Sequence, residues 1–180
     1  MPAIAGDRVA CIGVSEPSAG SDVAAIRTTA RKDGGAYVIN GGKLWITNGA
    51  QADWMCCLAN TSEGSPHRNK SLIIVPMKTP GVTVRPLVNM MGSHHFTEVF
   101  LEDVRIPRDC LIGEENRGRY IATTTLDHER SSINSVVMTR STLGALIDYV
   151  KGVPALRARA ELRHELAERS LEFEIGRWLC

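Results

Sequence analysis

The sequence predicts an α+β chain: an antiparallel β-barrel or sandwich followed by two long helices of an incomplete helical bundle. Three observations carry this reading. Short β-type runs alternate with Gly, Pro and Asp turn signals up to about residue 115. Beyond that point the apolar spacing becomes helical. The first helix so implied is too long, and too apolar along one stripe, for a single shorter partner to cover.

The strand segments fall at 9–14, 24–32, 36–48, 53–59, 71–76, 82–85 and 96–106. The first, Val9 to Val14, is a continuous apolar run ending in Glu16-Pro17, which reads as a buried strand entering a loop. Asp33-Gly34-Gly35, Gly64-Ser65-Pro66 and Thr79-Pro80-Gly81 separate later segments with turn chemistry. Many short strands with frequent turns favour a barrel or sandwich.

From Asn116, a candidate N-cap, apolar residues recur at helical spacing: Leu126, Ile133, Val137, Leu143, Ile147 and Val150, closing at Gly152. A helix over 117–151 would be about 50 Å long. Pro154 suits the first turn of a second helix with Leu156, Ala160, Ala167, Leu171, Ile175 and Trp178 on one stripe. Both stripes need partners, so a bundle completed by further sequence or by other subunits is expected.

Composition excludes several classes. Hydrophobic residues make up 43%, charged residues 23% and the formal net charge is +1, which gives no basic stripe for nucleic acid and no acidic tail. No run approaches the ~20 apolar residues of a membrane span, and the start Met1-Pro2-Ala3-Ile4-Ala5-Gly6-Asp7 shows no secretory signal pattern. The cysteines, Cys11, Cys56, Cys57, Cys110 and Cys180, are odd in number and lack Cys-x-x-Cys spacing; they read as buried thiols in a reducing, intracellular compartment. No metal site is expected, because His94 and His95 are the one histidine cluster and neighbours on a strand face opposite sides.

Two stretches hold the chemistry. In Ser15-Glu16-Pro17-Ser18-Ala19-Gly20-Ser21-Asp22, Gly20 lets the main chain approach a ligand and Ser15 and Ser21 supply hydroxyls. In Lys43-Leu44-Trp45-Ile46-Thr47-Asn48-Gly49, alternation places Lys43, Trp45 and Thr47 on one strand face. There Trp45 can cover a flat ring while Thr47 hydrogen-bonds its edge. Taken singly, each stretch reads equally well as a glycine turn and a half-buried strand.

Together these stretches resemble the middle domain of the acyl-CoA dehydrogenase family, whose phrase pair is (Thr/Ser)-Glu-Pro-x-x-Gly-Ser-Asp and Lys-x-(Trp/Phe)-Ile-Thr-Asn. The resemblance continues through Tyr37 to Gly41, Phe96 to Pro107, Leu111 to Asn116 and Leu126-Asp127-His128-Glu129-Arg130, in order, over nearly the whole chain. It implies a middle β-domain over 1–115, a partial C-terminal helical domain over 116–180, and a fragment or truncated form of a longer protein. It also implies FAD-dependent α,β-dehydrogenation of an acyl-CoA thioester, in which a base removes the α-proton and hydride passes from the β-carbon to flavin.

By motif position, the resemblance makes Ile12, Val14, Ser15, Ser21, Trp45, Ile46 and Thr47 the FAD-binding residues, with Thr47 at the flavin edge and Ser21 also touching the pantetheine of CoA. Glu129, directly before Arg130, matches one of the two places where the family carries its base; an apolar pocket would raise its pKa toward neutrality. Asp127 and Arg130 become acyl-CoA contacts. The residues alone leave a plainer reading open: Asp127 and Arg130 lie three apart on a helix, as an exposed ion pair would, and Glu129 and Arg130 point about 100° apart. One family feature is missing, since Lys151-Gly152-Val153-Pro154-Ala155-Leu156-Arg157 stands where an Arg-x-x-x-Phe-Gly segment would reach a neighbouring subunit's FAD. The implied partners are an electron-transfer flavoprotein as acceptor and a homo- or hetero-oligomer, in the mitochondrial matrix or cytoplasm. Two alternatives stand beside the dehydrogenase: a non-catalytic flavin- or acyl-CoA-binding assembly partner, and an acyl-CoA oxidase.

Overall fold

The computed structural model describes residues 2–129 and 133–179 and divides into two compact units, Met1–Thr124 and Thr125–Cys180. In the first unit a single turn, α1 (Pro2–Ala5), precedes eight strands: β1 (Ala10–Gly13), β2 (Thr29–Asp33), β3 (Ala36–Thr47), β4 (Trp54–Asn60), β5 (Lys70–Pro76), β6 (Val82–Leu87), β7 (Phe96–Pro107) and β8 (Leu111–Ile112). They form one sheet in the order β6-β7-β3-β2-β4-β5-β8, with β1 also on β4. The α+β expectation holds, but the sheet is mixed and open: β1 and β2 both run parallel to β4, and the remaining pairs are antiparallel.

One edge of β4 decides where a ligand loop must be. β5 occupies the other edge along its whole length, from Trp54↔Pro76 to Asn60↔Lys70. β1 pairs with Trp54 to Cys57, and β2 joins the same edge only at Thr29↔Asn60. The chain between Gly13 and Thr29 therefore leaves the sheet and returns to it. Within that excursion Val23–Ala25, of which residues 24 and 25 were expected as strand, form a 3-10 turn whose start is met by Asp22: its Oδ1 accepts from Ala24 N at 3.0 Å.

β4 is buried on both faces, which explains its unbroken apolar run. Met55, Cys57 and Ala59 join Cys11, Ile39, Ile73, Val75, Val99 and Leu101 in the larger core. Leu58 faces a smaller cluster with Val14, Ala19, Ile26, Leu72 and Ala122. The described cysteines are all free thiols: Cys11 and Cys57 are buried, Cys56 and Cys110 half-buried. Burial pushes the Cys11 thiol up to about 12, with its neighbours Cys56 and Cys57 adding to the effect.

The helices are α2 (Gly118–Glu129), α3 (Ile133–Gly152), α4 (Pro154–Arg157) and α5 (Ala160–Leu179). The long helix expected over 117–151 is described as α2 and α3; residues 130–132 lie outside the described residues. Asn116 does not cap α2. It sits in a left-handed turn at φ 66°, and its Oδ1 accepts from Thr61 and Ser62 instead. Pro154 does occupy the first turn of a helix, but that helix ends at Arg157 and α5 starts afresh at Ala160. In the second unit α3 packs on α4 and α5. On α3 the inward stripe is Val136, Leu143, Ile147 and Val150, while the expected Val137 is exposed. On α5 the inward residues are Leu162, Leu166 and Phe173; the expected stripe of Ala167, Leu171, Ile175 and Trp178 points to solvent.

Candidate functional site

The loop that leaves β1 is closed by its own backbone. Glu16 N donates to Ala19 O at 2.9 Å and Ala19 N to Glu16 O at 3.1 Å, so Pro17 and Ser18 form the tip of a miniature hairpin. Ala19 is buried beneath it, while Gly20 and Ser21 are exposed. A Cβ built on Gly20 would meet nothing within 4 Å, so the main chain there is open to an approaching group.

β3 does not alternate through the second stretch. Its pairing with β7 goes from Lys43↔Val99 to Ile46↔Thr97, three residues on β3 against two on β7, which is a β-bulge. The bulge lets two residues an odd distance apart face the same way: Lys43 is 0% and Ile46 2% exposed. The extra residue is taken up at Trp45, which has φ 62°. A left-handed backbone at a bulky residue costs on the order of 1–3 kcal/mol and persists only where its surroundings hold it. Its effect is to throw the indole outward, 60% exposed, where its edge meets the Phe96 ring with centroids 6.2 Å apart. Thr47, two residues on, is exposed as well. Trp45 and Thr47 therefore share the outer side as expected, and Lys43 does not.

The two stretches are joined directly. Leu44 N donates to Ser15 O at 3.0 Å. Beneath that bond Lys43 Nζ donates to Glu16 Oε1 at 2.8 Å, to Leu58 O at 2.7 Å and to Val14 O at 3.3 Å. Glu16 also accepts from Arg27 N at 2.6 Å and Thr28 N at 3.1 Å. Burial would raise the Glu16 pKa, but the Lys43 ammonium and the Arg27 and Thr28 donors outweigh it and hold the carboxyl below its usual range. Simple alternation hides this ion pair in the sequence. The signal that could have revealed it is one opposite charge in each stretch, both flanking apolar strand residues.

The structure thus brings Val14 and Ser15 against the strand that carries Trp45, Ile46 and Thr47. Ile12 is partly exposed on β1, whereas Ile46 and Val14 are buried and can offer a ligand only main-chain groups. Ser21 lies on the exposed continuation of the loop. Asp127 is exposed and belongs to the second unit; Glu129 is the last residue of α2, and Arg130 lies outside the described residues. A separate recess of about 570 Å³ is lined by His67, Arg68, Glu115, Asn116, Arg117 and Tyr120, none of them among the expected site residues. Among the described residues, no group of three or more His, Cys, Asp or Glu can hold a metal ion, and no helix is long and apolar enough to cross a membrane.

These residues fit a flavin. A large aromatic face is held outward by a strained bulge, a neighbouring hydroxyl shares its side, and a hydroxyl-bearing loop is fixed beside it by a main-chain hydrogen bond. That donor set suits a flat, apolar-faced ring with polar edge atoms.

Comparison with known proteins gives the family. The acyl-CoA dehydrogenase middle-domain family matches residues 11–104. The chain is 41% identical over 142 residues to acyl-CoA dehydrogenase IpdE1 of Mycobacterium tuberculosis, covering 78% of this chain and 35% of that protein. It is 35% identical over 187 residues to the mitochondrial short-chain specific acyl-CoA dehydrogenase of Bos taurus, covering 99% of this chain and 45% of that protein. The crystal structure of an acyl-CoA dehydrogenase from Geobacillus kaustophilus superposes with a TM-score of 0.77 at 34% identity, covering 98% of this chain and 49% of that one. The chain spans less than half the length of these relatives, and within that span it belongs to the acyl-CoA dehydrogenase family.

Proposed function

We propose that this chain carries the flavin-facing part of an acyl-CoA dehydrogenase and takes part in α,β-desaturation of an acyl-CoA thioester. One observation carries the reading: the outward Trp45 indole on its left-handed bulge, pinned beside the Ser15 loop. Family membership supports FAD as the cofactor. Bound FAD supplies the two-electron acceptor for the hydrogen that leaves the β-carbon.

The chain's own residues have distinct parts in this reading. Trp45 would hold the flat face of the ring. The Thr47 hydroxyl would hold the ring edge, as a fixed donor suited to a group that gains electrons. Ile12, Val14 and Ile46 present main-chain groups, and Ser15 and Ser21 present hydroxyls, to the polar rim and tail; Ser21 also meets the pantetheine arm. Glu129 takes the α-proton, and Asp127 and Arg130 hold the acyl-CoA, by their place in the helical motif. An electron-transfer flavoprotein and further subunits complete the proposed system.

The test is to titrate the purified chain with FAD, reading tryptophan quenching and the yellow absorbance retained after ultrafiltration. Saturable binding is expected, with Trp45→Ala weakening it roughly tenfold, the size of a lost aromatic stacking contact. With FAD bound, Glu129→Gln is expected to reduce turnover of acyl-CoA by a factor of about 100 or more while leaving FAD affinity unchanged. Wild-type chain that stays colourless at saturating FAD would overturn the flavin reading.

A further inference from the structure

The Lys43–Glu16 pair is the only ion pair among the described residues in which both side chains are almost wholly buried, at 0% and 4% exposure. Neither side chain touches the surface that would meet a ring, so contact with a ligand does not explain its position. Burying two charges is costly, and well-packed apolar residues of the same shape would serve the core as well or better. Its contacts suggest what it does. A single ammonium reaches Val14 O on the loop, Glu16 Oε1 at the loop's hairpin and Leu58 O in the middle of β4. The Glu16 carboxylate in turn holds Arg27 N and Thr28 N, where the excursion rejoins the sheet.

The bulge follows from the same demand. Lys43 must point inward to reach these three acceptors, and Ile46 must point inward to fill the core, yet they are three residues apart. A regular strand would place them on opposite faces. Adding one residue between them satisfies both, and Trp45 takes the left-handed conformation.

We propose that Lys43 and Glu16 are positioning residues: their buried ion pair enforces the bulge, holds Trp45 outward and locks the Ser15 loop to the same strand, so that both halves of the cofactor surface are set before any ligand arrives. This rests on the flavin reading for its purpose and on the apo geometry for its existence, and the two are tested separately.

The experiment uses the full chain with both partners neutralised, Lys43→Met with Glu16→Gln, so that no uncompensated charge is left buried. Hydrogen exchange is followed at the Leu44 amide, which reports the bond to Ser15 O, and at the Cys57 and Ile73 amides, which report the paired β4 and β5 core. FAD affinity is measured alongside. The expected result is Leu44 exchange faster by roughly tenfold or more, core amides unchanged, and FAD affinity weaker by about the same factor. Wild-type protection at Leu44 together with wild-type FAD affinity in the folded double variant would overturn the proposal. If the wild-type chain fails to bind FAD, the functional reading falls while Leu44 exchange in the apo chain still decides whether the clamp exists. Should the double variant not fold, Glu16→Gln alone, which keeps the side-chain shape and one acceptor oxygen, is read by the same criterion: unchanged Leu44 exchange overturns the clamp.

Discussion

At Glu16 burial opposes ionisation, and three hydrogen-bond donors, one of them a lysine ammonium, favour it; the donors prevail and the pKa stays below its ordinary value of 4.5. A carboxyl whose folded pKa is depressed adds stability that is fully present above its unfolded value and is lost as pH falls through the folded one. Asp33 and Asp53 are depressed too, by Arg105 and by Val9 N with Arg8 respectively, so acid loosens several contacts at once. The Glu16 share can be isolated by comparing wild type with Glu16→Gln. Thermal midpoints measured from pH 7 down to about 3 should lie apart at neutral pH, the variant below, and converge in acid as wild type protonates. Parallel curves across that range would show that Glu16 is not the group being titrated.

At the scale of elements, one junction fixed by backbone contacts is the start of α2 against β5. Arg117 bridges to Lys70, and Asn116 N donates to Ser71 Oγ at 2.8 Å, laying the first helical residue on the strand backbone. Alanine at position 118 would gain at most about 1 kcal/mol of helix propensity over glycine. Its Cβ, however, would lie 2.5 Å from Ser71 Cα and closer still to the Ser71 carbonyl carbon and Leu72 N, all backbone that cannot swing aside. Gly118→Ala should therefore destabilise the first unit by roughly 1–3 kcal/mol, read as a lower denaturant midpoint with the slope unchanged. A neutral or stabilising result would mean that the junction is far softer than its contacts imply.

The same elements show what a sequence can disclose. Seven strands were legible because short apolar or β-branched runs between turn signals admit few other structures. β8 was not, since Leu111–Ile112 is two residues long and is a strand only through its pairing with β5. The Trp45–Thr47 side was legible by alternation, but Lys43 was misplaced, because a bulge arises from tertiary demands on both sides of it and leaves no local mark. In α5 the wrong stripe was chosen because the helix has two apolar stripes, and the one continuing from Leu156 loses its phase at the break before Ala160. Asn116 looked like a cap but is drawn off by Thr61 and Ser62, contacts made across 55 and 54 residues of sequence.

For the molecule as a whole, the two units differ sharply in how much they bury. The first has two apolar clusters centred on a strand covered on both faces. In the second, Val150 is the one described residue in the fully buried class, while Val137, Met138, Tyr149, Leu171, Ile175 and Trp178 are each at least 60% exposed. Surface ion pairs such as Arg169 with Glu165 and Glu172 are screened by solvent, add little and cannot replace a core. Helices of this length draw most of their stability from packing an apolar face, so the second unit belongs at the low end of the chain's local stabilities. In dilute solution, amides of α3 and α5 should exchange well before those of β4 and β5, and helical circular dichroism should fall at a lower temperature than the near-ultraviolet signal of the sheet. A hydrophobic dye should bind the native chain, and less so after Leu171→Lys with Ile175→Lys, substitutions on the solvent face that leave the inward Leu162, Leu166 and Phe173 in place. A single cooperative transition with equal protection in helices and sheet would show that the two units share one stability, and that the exposed stripes of α3 and α5 cost the isolated chain nothing.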